Sequence, residues 1–102
     1  QRLGVTVAYR SPDTNRAVGG VPTSAHVEGR AADVVPLDGM GCPDLFDLIR
    51  HSAIPYDQAI LETAENGNQC IHVAVARYGE VPRREALIRL GTAPHWRYEV
   101  AP

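Results

Sequence analysis

The sequence contains few of the features that mark specialised classes of protein. It has two cysteines in 102 residues, which is too few for a disulfide framework. Because neither cysteine has C-x-x-C spacing, a four-cysteine zinc site is excluded. We interpret Cys42 and Cys70 as unpaired, partly buried thiols. A disulfide between them is the alternative, if the fold brings them together in an oxidising compartment.

A strong charge of one sign and a long apolar run are also missing. The net charge is −2 and the isoelectric point about 6.1, which excludes nucleic acid as the default partner because phosphate binding needs a basic excess. No apolar run approaches the ~20 residues that span a bilayer, and no segment has the pattern of a signal peptide. Since the chain begins at Gln1, we expect a fragment or a processed product from which an export signal could have been removed.

What is present is the composition of an ordinary globular domain. Hydrophobic residues make up 44% of the chain and charged residues 22%. A chain of this length buries about two thirds of its unfolded surface, which suffices for a modest core. We therefore expect one domain over residues 1–102, and a monomer.

Short strand and helix patterns follow one another irregularly along the chain. Alternating β-branched residues predict strands at Gly4–Tyr9, Ala31–Val35, Asp57–Glu62 and Cys70–Ala76, with a further strand within Glu85–Val100. A short helix is expected after Ser11 and a longer one at Cys42–Ala53, with an apolar stripe of Leu45, Phe46, Leu48 and Ile49. Asn66-Gly67 predicts a hairpin. The pattern indicates an α+β fold with a mostly antiparallel sheet and two or three helices.

The alternation of side chains on the two strands of this hairpin predicts a shallow cleft. On the second strand, Ile71, Val73 and Val75 would face the core, while His72 would face the other way among small side chains. If the two strands pair with matching faces, Glu62 and His72 project into the same cleft.

The stretch SAHVEGRAADVV places a carboxylate, Asp33, inside an apolar run. Because an unpaired buried charge is costly, Asp33 needs a partner. A divalent metal is one such partner, with His26 and His72 as further ligands, since two histidines and one carboxylate leave an open position for water in a catalytic zinc site.

The residues also allow a metal-independent interpretation. Asp33 could instead form a salt bridge with Arg30 or Arg10. A single histidine in a loop is usually a surface residue, and we expect this for His51, at a helix end, and for His95.

Three segments between Tyr9 and Val75 occur in a specific order: YRSPDTNRAVGGVPTSAHVEGRAADVV, YDQAILE and IHVAV. Together they resemble the zinc D-Ala-D-Ala carboxypeptidase family, part of the wider group that contains the hedgehog signalling domain. The resemblance implies a hedgehog/DD-peptidase-like fold and a zinc peptidase that acts on the stem peptide of peptidoglycan.

The resemblance also implies roles for individual residues. His26, Asp33 and His72 match the zinc ligands. Glu62 matches the glutamate that closes the Asp-Gln-…-Glu segment and would be the general base, taking a proton from the attacking water and passing it to the leaving amine.

Two further matches concern the substrate. Ser24 matches a serine that helps to hold the terminal carboxylate of the substrate, and Arg10 matches an arginine that reaches the substrate carbonyl or carboxylate and offsets developing negative charge. A stem-peptide substrate implies the bacterial periplasm, the cell wall or a phage virion as the location.

The sequence departs from the family pattern at several positions. Gln69 stands where some branches have the base of a Glu-x-x-His motif, which leaves Glu62 as the base and Glu65 as a fallback. Cys70 replaces the usual Trp, and Ala74 replaces a Ser. The helix that usually precedes the first strand is missing, which favours a truncated or minimal version.

Two alternatives to the peptidase stay open. One is a non-catalytic, zinc-containing module that binds the cell wall or belongs to a phage structure, and the other is the metal-independent domain described above. Residues 77–102 have no assigned role. Within them, Trp96 and Tyr98 could be core residues or part of a rim that contacts the cell wall, and we expect core residues.

Overall fold

The computed structural model describes residues 3–7, 29–37 and 39–102. In this part of the chain a single sheet of six strands packs against one helix. The elements are β1 (Leu3–Val7), β2 (Ala31–Pro36), α1 (Cys42–Arg50), β3 (Tyr56–Thr63), β4 (Gln69–Val75), β5 (Glu85–Thr92) and β6 (His95–Val100).

The strands lie in the order β1-β2-β4-β3-β5-β6. Four neighbouring pairs are antiparallel, and β3 and β5 are parallel, so the α+β class is confirmed but the sheet is mixed. β4 runs antiparallel to β3 and occupies one of its edges. The chain reverses direction after β4, so β5 runs parallel to β3 and can pair only with its other edge. The chain therefore crosses to the other edge through residues 76–84 before it enters β5.

The predicted hairpin joins β3 and β4. Gly67 has a φ of 86°, which glycine adopts without strain, and its amide donates to the Ala64 carbonyl at 2.9 Å. The side-chain oxygen of Asn66 accepts a hydrogen bond from the Asn68 amide at 3.0 Å. This turn sets the register in which Ile60 lies opposite His72.

The helix α1 is shorter than its pattern predicted. Pro43 and Asp44 in its first turn and Arg50 in its last suit the helix ends. It ends at Arg50 rather than Ala53, and beyond it the Arg84 guanidinium donates to the carbonyls of Arg50, Ser52 and Ile54, at 3.3, 2.9 and 2.7 Å. The short helix predicted after Ser11 lies outside the described residues, which contain one α-helix.

One face of α1 covers the middle of the sheet. Leu45, Phe46 and Ile49 are buried on this face, but Leu48, which was predicted to join them, is exposed. A stripe of three residues is enough because α1 lies on the sheet with one side only. The helix packs on the core cluster of Val34, Tyr56, Ala59, Leu61 and Ile71.

Val75 was also wrongly assigned to the core, since it is exposed. It is the last residue of β4 and lies beyond the last β2–β4 pair, which joins Ala31 and Ala74. Alternation alone does not show where the neighbouring strand stops covering a residue.

The predicted tail strand is in fact two strands that form a second hairpin. Gly91, with φ of 94°, precedes the turn, and a Cβ atom there would lie 2.6 Å from the His95 carbonyl oxygen, so only glycine fits. The core assignment was wrong for Tyr98, which is exposed, while Trp96 is half-buried. Tyr98 lies on β6, the outermost strand of the described sheet, which has a neighbouring strand on one side only.

An ion pair ties the start of β3 to the chain that enters β5. The buried carboxylate of Asp57 accepts hydrogen bonds from the Arg83 amide at 2.9 Å, from Arg83 Nε at 3.1 Å and from its terminal nitrogen at 2.8 Å. These bonds hold the pKa of Asp57 below its ordinary value.

In the described part of the chain, no helix is long and apolar enough to cross a membrane.

The covered face of α1 gives a first prediction. Replacing Phe46 by Ala should lower the free energy of unfolding by about 3–5 kcal/mol, because the side chain is fully buried and leaves a cavity. Leu48→Ala, on the exposed side of the same helix, is the matched control and should cost less than about 1 kcal/mol. Urea unfolding of both variants measures the difference, and equal losses would contradict this packing.

A second prediction concerns acid stability. Because the pKa of Asp57 is lowered by folding, its ion pair stabilises the protein above the unfolded pKa of about 3.9 and stops doing so as the pH falls through the lowered value. Asp57→Asn should therefore cost about 1 kcal/mol near neutral pH, a modest loss because Arg83 is 59% exposed. This difference from wild type should shrink as the pH falls below the unfolded pKa, and vanish once Asp57 is protonated in the folded protein as well.

The control for this experiment is Glu80→Gln, which removes an exposed ion pair with Arg77 whose charged atoms are 3.8 Å apart. Its effect should stay below about 0.5 kcal/mol at every pH. Denaturant midpoints across the pH range measure both variants, and a loss for Asp57→Asn that is independent of pH would show that the carboxylate charge is not involved.

Candidate functional site

Asp33 and His72 lie opposite one another on neighbouring antiparallel strands. Their Cα atoms are paired in the β2–β4 register, and Asp33 Oδ1 lies 3.2 Å from His72 Nδ1. Both side chains are largely buried, with 17% of Asp33 and 14% of His72 exposed. One partner of Asp33 is therefore an imidazole on the neighbouring strand.

The distance between these two atoms suits a shared metal ion. Donor atoms bound to one tetrahedral zinc at about 2.0–2.1 Å lie about 3.3 Å apart. A carboxylate oxygen and an imidazole nitrogen are also donors of the kind that zinc prefers. Asp33 and His72 can thus supply two of the three ligands predicted from the sequence.

Glu62 lies on the same face of the sheet as His72, as predicted. Ile60 is the direct partner of His72 and Cys70 that of Glu62, so Glu62 and His72 are diagonal neighbours on adjacent strands. Side chains in this relation have Cβ atoms up to about 7–8 Å apart, within reach of a long side chain. A carboxylate on a glutamate stem can therefore reach a molecule bound next to His72.

Gln69, the position of the alternative base, lies on the other side of the sheet. It is two residues from the core residue Ile71 and shares its face, and its amide nitrogen donates to Thr63 Oγ1 at 3.0 Å. A glutamate at this position would point away from His72. Glu65, the fallback base, lies exposed in the turn of the hairpin.

The face around His72 is less open than the small side chains suggested. Ile60, its cross-strand neighbour, and Ala74, two residues along β4, are both buried. His72 therefore has buried apolar neighbours beside its polar partner Asp33, and electrostatic interactions in such partly buried positions are stronger than in water.

Three residues of the predicted site, His26, Ser24 and Arg10, lie outside the described residues. Within residues 29–37 and 39–102, no group of three His, Cys, Asp or Glu side chains is placed to hold a metal ion. The two remaining histidines are exposed, as predicted: His51 Nδ1 lies 2.9 Å from the Asp47 carbonyl at the end of α1, and His95 begins β6.

Both cysteines are free and half-buried, which confirms their interpretation as unpaired thiols. Cys42 donates to the Gln69 carbonyl at 3.3 Å, and Cys70 donates to Glu62 Oε1 at 3.7 Å. Burial raises the pKa of Cys70 to about 12, and the negative charges of Glu62 and Asp33 add to this effect. Burial also raises the pKa of Cys42.

Arg89 was not singled out from the sequence, although it contacts Glu62. Its terminal nitrogen lies 3.5 Å from Glu62 Oε2. The available signal was the same as for Asp33, a charged residue inside the apolar strand EALIRLGT. This signal did not identify Glu62 as the partner of Arg89, because a local sequence pattern does not show that β3 and β5 pair in parallel.

Comparison with protein families places this geometry in context. The model of the peptidase M15 family matches residues 1–74. This region contains Asp33, Glu62 and His72, whereas β5 and β6 lie beyond it. A comparison with curated proteins gives no match.

The buried thiols give a third prediction. After metal is removed with a chelator, native protein should react with Ellman's reagent far more slowly than unfolded protein, because burial raises the pKa of both thiols and so lowers their thiolate fractions at about pH 8. In denaturant, two thiols per chain should react. Rapid reaction of the native protein, or fewer than two thiols in denaturant, would contradict this description.

Proposed function

Because the chain belongs to the peptidase M15 family, a family of metallopeptidases, we propose that it is a zinc-dependent hydrolase of the D-Ala-containing stem peptide of peptidoglycan. It would act as a carboxypeptidase or as an endopeptidase. The observation that carries the proposal is the pair of Asp33 and His72, with donor atoms 3.2 Å apart, beside Glu62 on one face of the sheet.

The proposed zinc ion would be held by Asp33, His72 and His26. The first two fit it in donor type, separation and burial, and His26 is the ligand implied by the resemblance to the carboxypeptidases. Zinc bound there would acidify a water molecule and polarise the scissile carbonyl.

Glu62 would serve as the general base. It projects from β3 toward the face on which His72 lies, and it is only 17% exposed, so its carboxylate is partly shielded from bulk water. Glu62 would take the proton of the attacking water and return it to the leaving amine. Gln69, the position of the base in a Glu-x-x-His motif, lies on the opposite face of the sheet from His72. This supports Glu62 as the general base.

The proposal also covers how the substrate is recognised. A stem peptide ends in a carboxylate, and the resemblance assigns Arg10 and Ser24 to this group. A substrate of this kind would place the protein in the bacterial periplasm, in the cell wall or on a phage virion, and we propose that it acts as a monomer.

The fourth prediction separates hydrolysis from metal binding. Glu62→Gln should keep stoichiometric zinc, because Glu62 is not among the proposed ligands, but should lower kcat by about a hundredfold or more because the base is lost. Zinc content is measured by elemental analysis of the reloaded protein. Activity is measured as D-Ala or cut cross-links released from purified cell wall.

Glu65→Gln is the matched control, since it removes a carboxylate from the exposed turn of the same hairpin, and it should retain full turnover. Full turnover by Glu62→Gln would exclude Glu62 as the base. Stoichiometric zinc in a wild-type protein without hydrolysis would favour the non-catalytic module, and absence of zinc after reloading would favour the metal-independent domain.

A further inference from the structure

The guanidinium of Arg89 lies between the proposed base and the only tryptophan of the chain. One terminal nitrogen is 3.5 Å from Glu62 Oε2, and the guanidinium carbon lies 3.8 Å from the centre of the Trp96 ring. Cations favour such a position over an indole ring. The three side chains thus form a continuous row from β3 through β5 to β6.

This row lies on the same face of the sheet as His72. Leu87 is the parallel partner of Ile60 on β3, and Ile60 is the partner of His72 on β4. Arg89 is two residues beyond Leu87 and therefore shares its face. The hairpin of β5 and β6, beyond the family match, thus extends the face that carries the candidate site.

Arg89 is fixed from several sides. It is only 17% exposed, and its second terminal nitrogen donates to the Thr63 carbonyl at 3.4 Å. Its Nε atom is buried with no hydrogen-bond partner within the described part of the chain. Leaving a buried donor unpaired costs free energy, so the other contacts must favour this one position of the guanidinium.

The two oxygens of Glu62 face different strands. Oε2 faces Arg89 on β5, whereas Oε1 accepts the weak hydrogen bond from Cys70 on β4, the strand that carries His72. With Oε2 held by a fixed cation, the carboxylate keeps one orientation, in which Oε1 is directed to β4. A base positioned in this way needs no reorientation before it accepts a proton.

We propose that Arg89 is a positioning residue for the general base, and that Trp96 supports it from the far side. The inference rests on the proposed function, in which Glu62 accepts the proton of the attacking water. Arg89 and Trp96 belong to the hairpin of β5 and β6, which lies outside the region that the family model matches. The inference therefore gives this hairpin a role in the reaction.

The test compares three full-length variants loaded with zinc. Arg89→Met keeps the length of the side chain but loses its charge, and it should lower kcat by about tenfold to a hundredfold while KM changes by less than about threefold. Arg89→Lys keeps a cation and should recover part of this loss. Arg97→Met removes an exposed charge from the opposite face of the same hairpin and should match wild type.

A double-mutant cycle then asks whether Arg89 acts through Glu62. In a Glu62→Gln background, Arg89→Met should change the remaining rate by less than about twofold, because the group that it positions is no longer a base. A rise in KM with kcat unchanged, or equal loss of rate in both backgrounds, would overturn the inference and indicate direct contact with substrate.

Trp96 fluorescence provides a readout that does not depend on hydrolysis. Because Arg89 links the carboxylate to the indole ring, Glu62→Gln should alter the emission of Trp96 in metal-free protein, and Arg97→Met should not. Circular dichroism and thermal unfolding identify any variant that fails to fold, and Arg89→Lys keeps the test decisive if Arg89→Met is such a variant.

The outcomes distinguish the inference from the proposed function. An active wild type with fully active Arg89 variants would overturn the inference alone. An inactive wild type would overturn the proposed function, and the fluorescence would then decide whether Arg89 positions Glu62: a change in Glu62→Gln would support the link, and unchanged emission would overturn it.

Discussion

The contact between Asp33 and His72 is the constraint on which the candidate site depends. It joins β2 to β4 across a sheet whose other face is occupied by the core, and both side chains are mostly shielded from water. A carboxylate in such surroundings must be compensated. The imidazole of His72 provides part of this compensation, at 3.2 Å from the carboxylate. The requirement for a buried charge to be paired is therefore also what brings together two of the proposed zinc ligands.

Much of this arrangement could be predicted because it depends on short-range rules. Alternation along β4 separated His72 from Ile71, and the Asn66-Gly67 turn set the register that places Glu62 near His72. The apolar neighbours of Asp33 indicated a buried carboxylate. These features hold because side chains alternate regularly along a strand, and a short turn determines how the two strands pair.

The features that could not be predicted depend on contacts that are distant in the chain. Arg89 reaches Glu62 only because β5 lies parallel to β3, and no local pattern reports this choice of edge. Burial at Leu48, Val75 and Tyr98 was overestimated for a related reason, since hydrophobicity does not show where the covering element ends. His26, Ser24 and Arg10 lie outside the described residues, so their part in the site remains a prediction.

The parallel pairing of β3 and β5 has a consequence for solubility. The family match ends at residue 74, and a polypeptide that ended there would leave one whole edge of β3 without a partner. That edge runs beside Ala59, Ile60 and Leu61, which are apolar and buried in the complete sheet. Bare, flat, apolar edges of this kind recruit strands from other molecules. The C-terminal hairpin covers this edge and leaves β6, which is more polar, as the border of the described sheet.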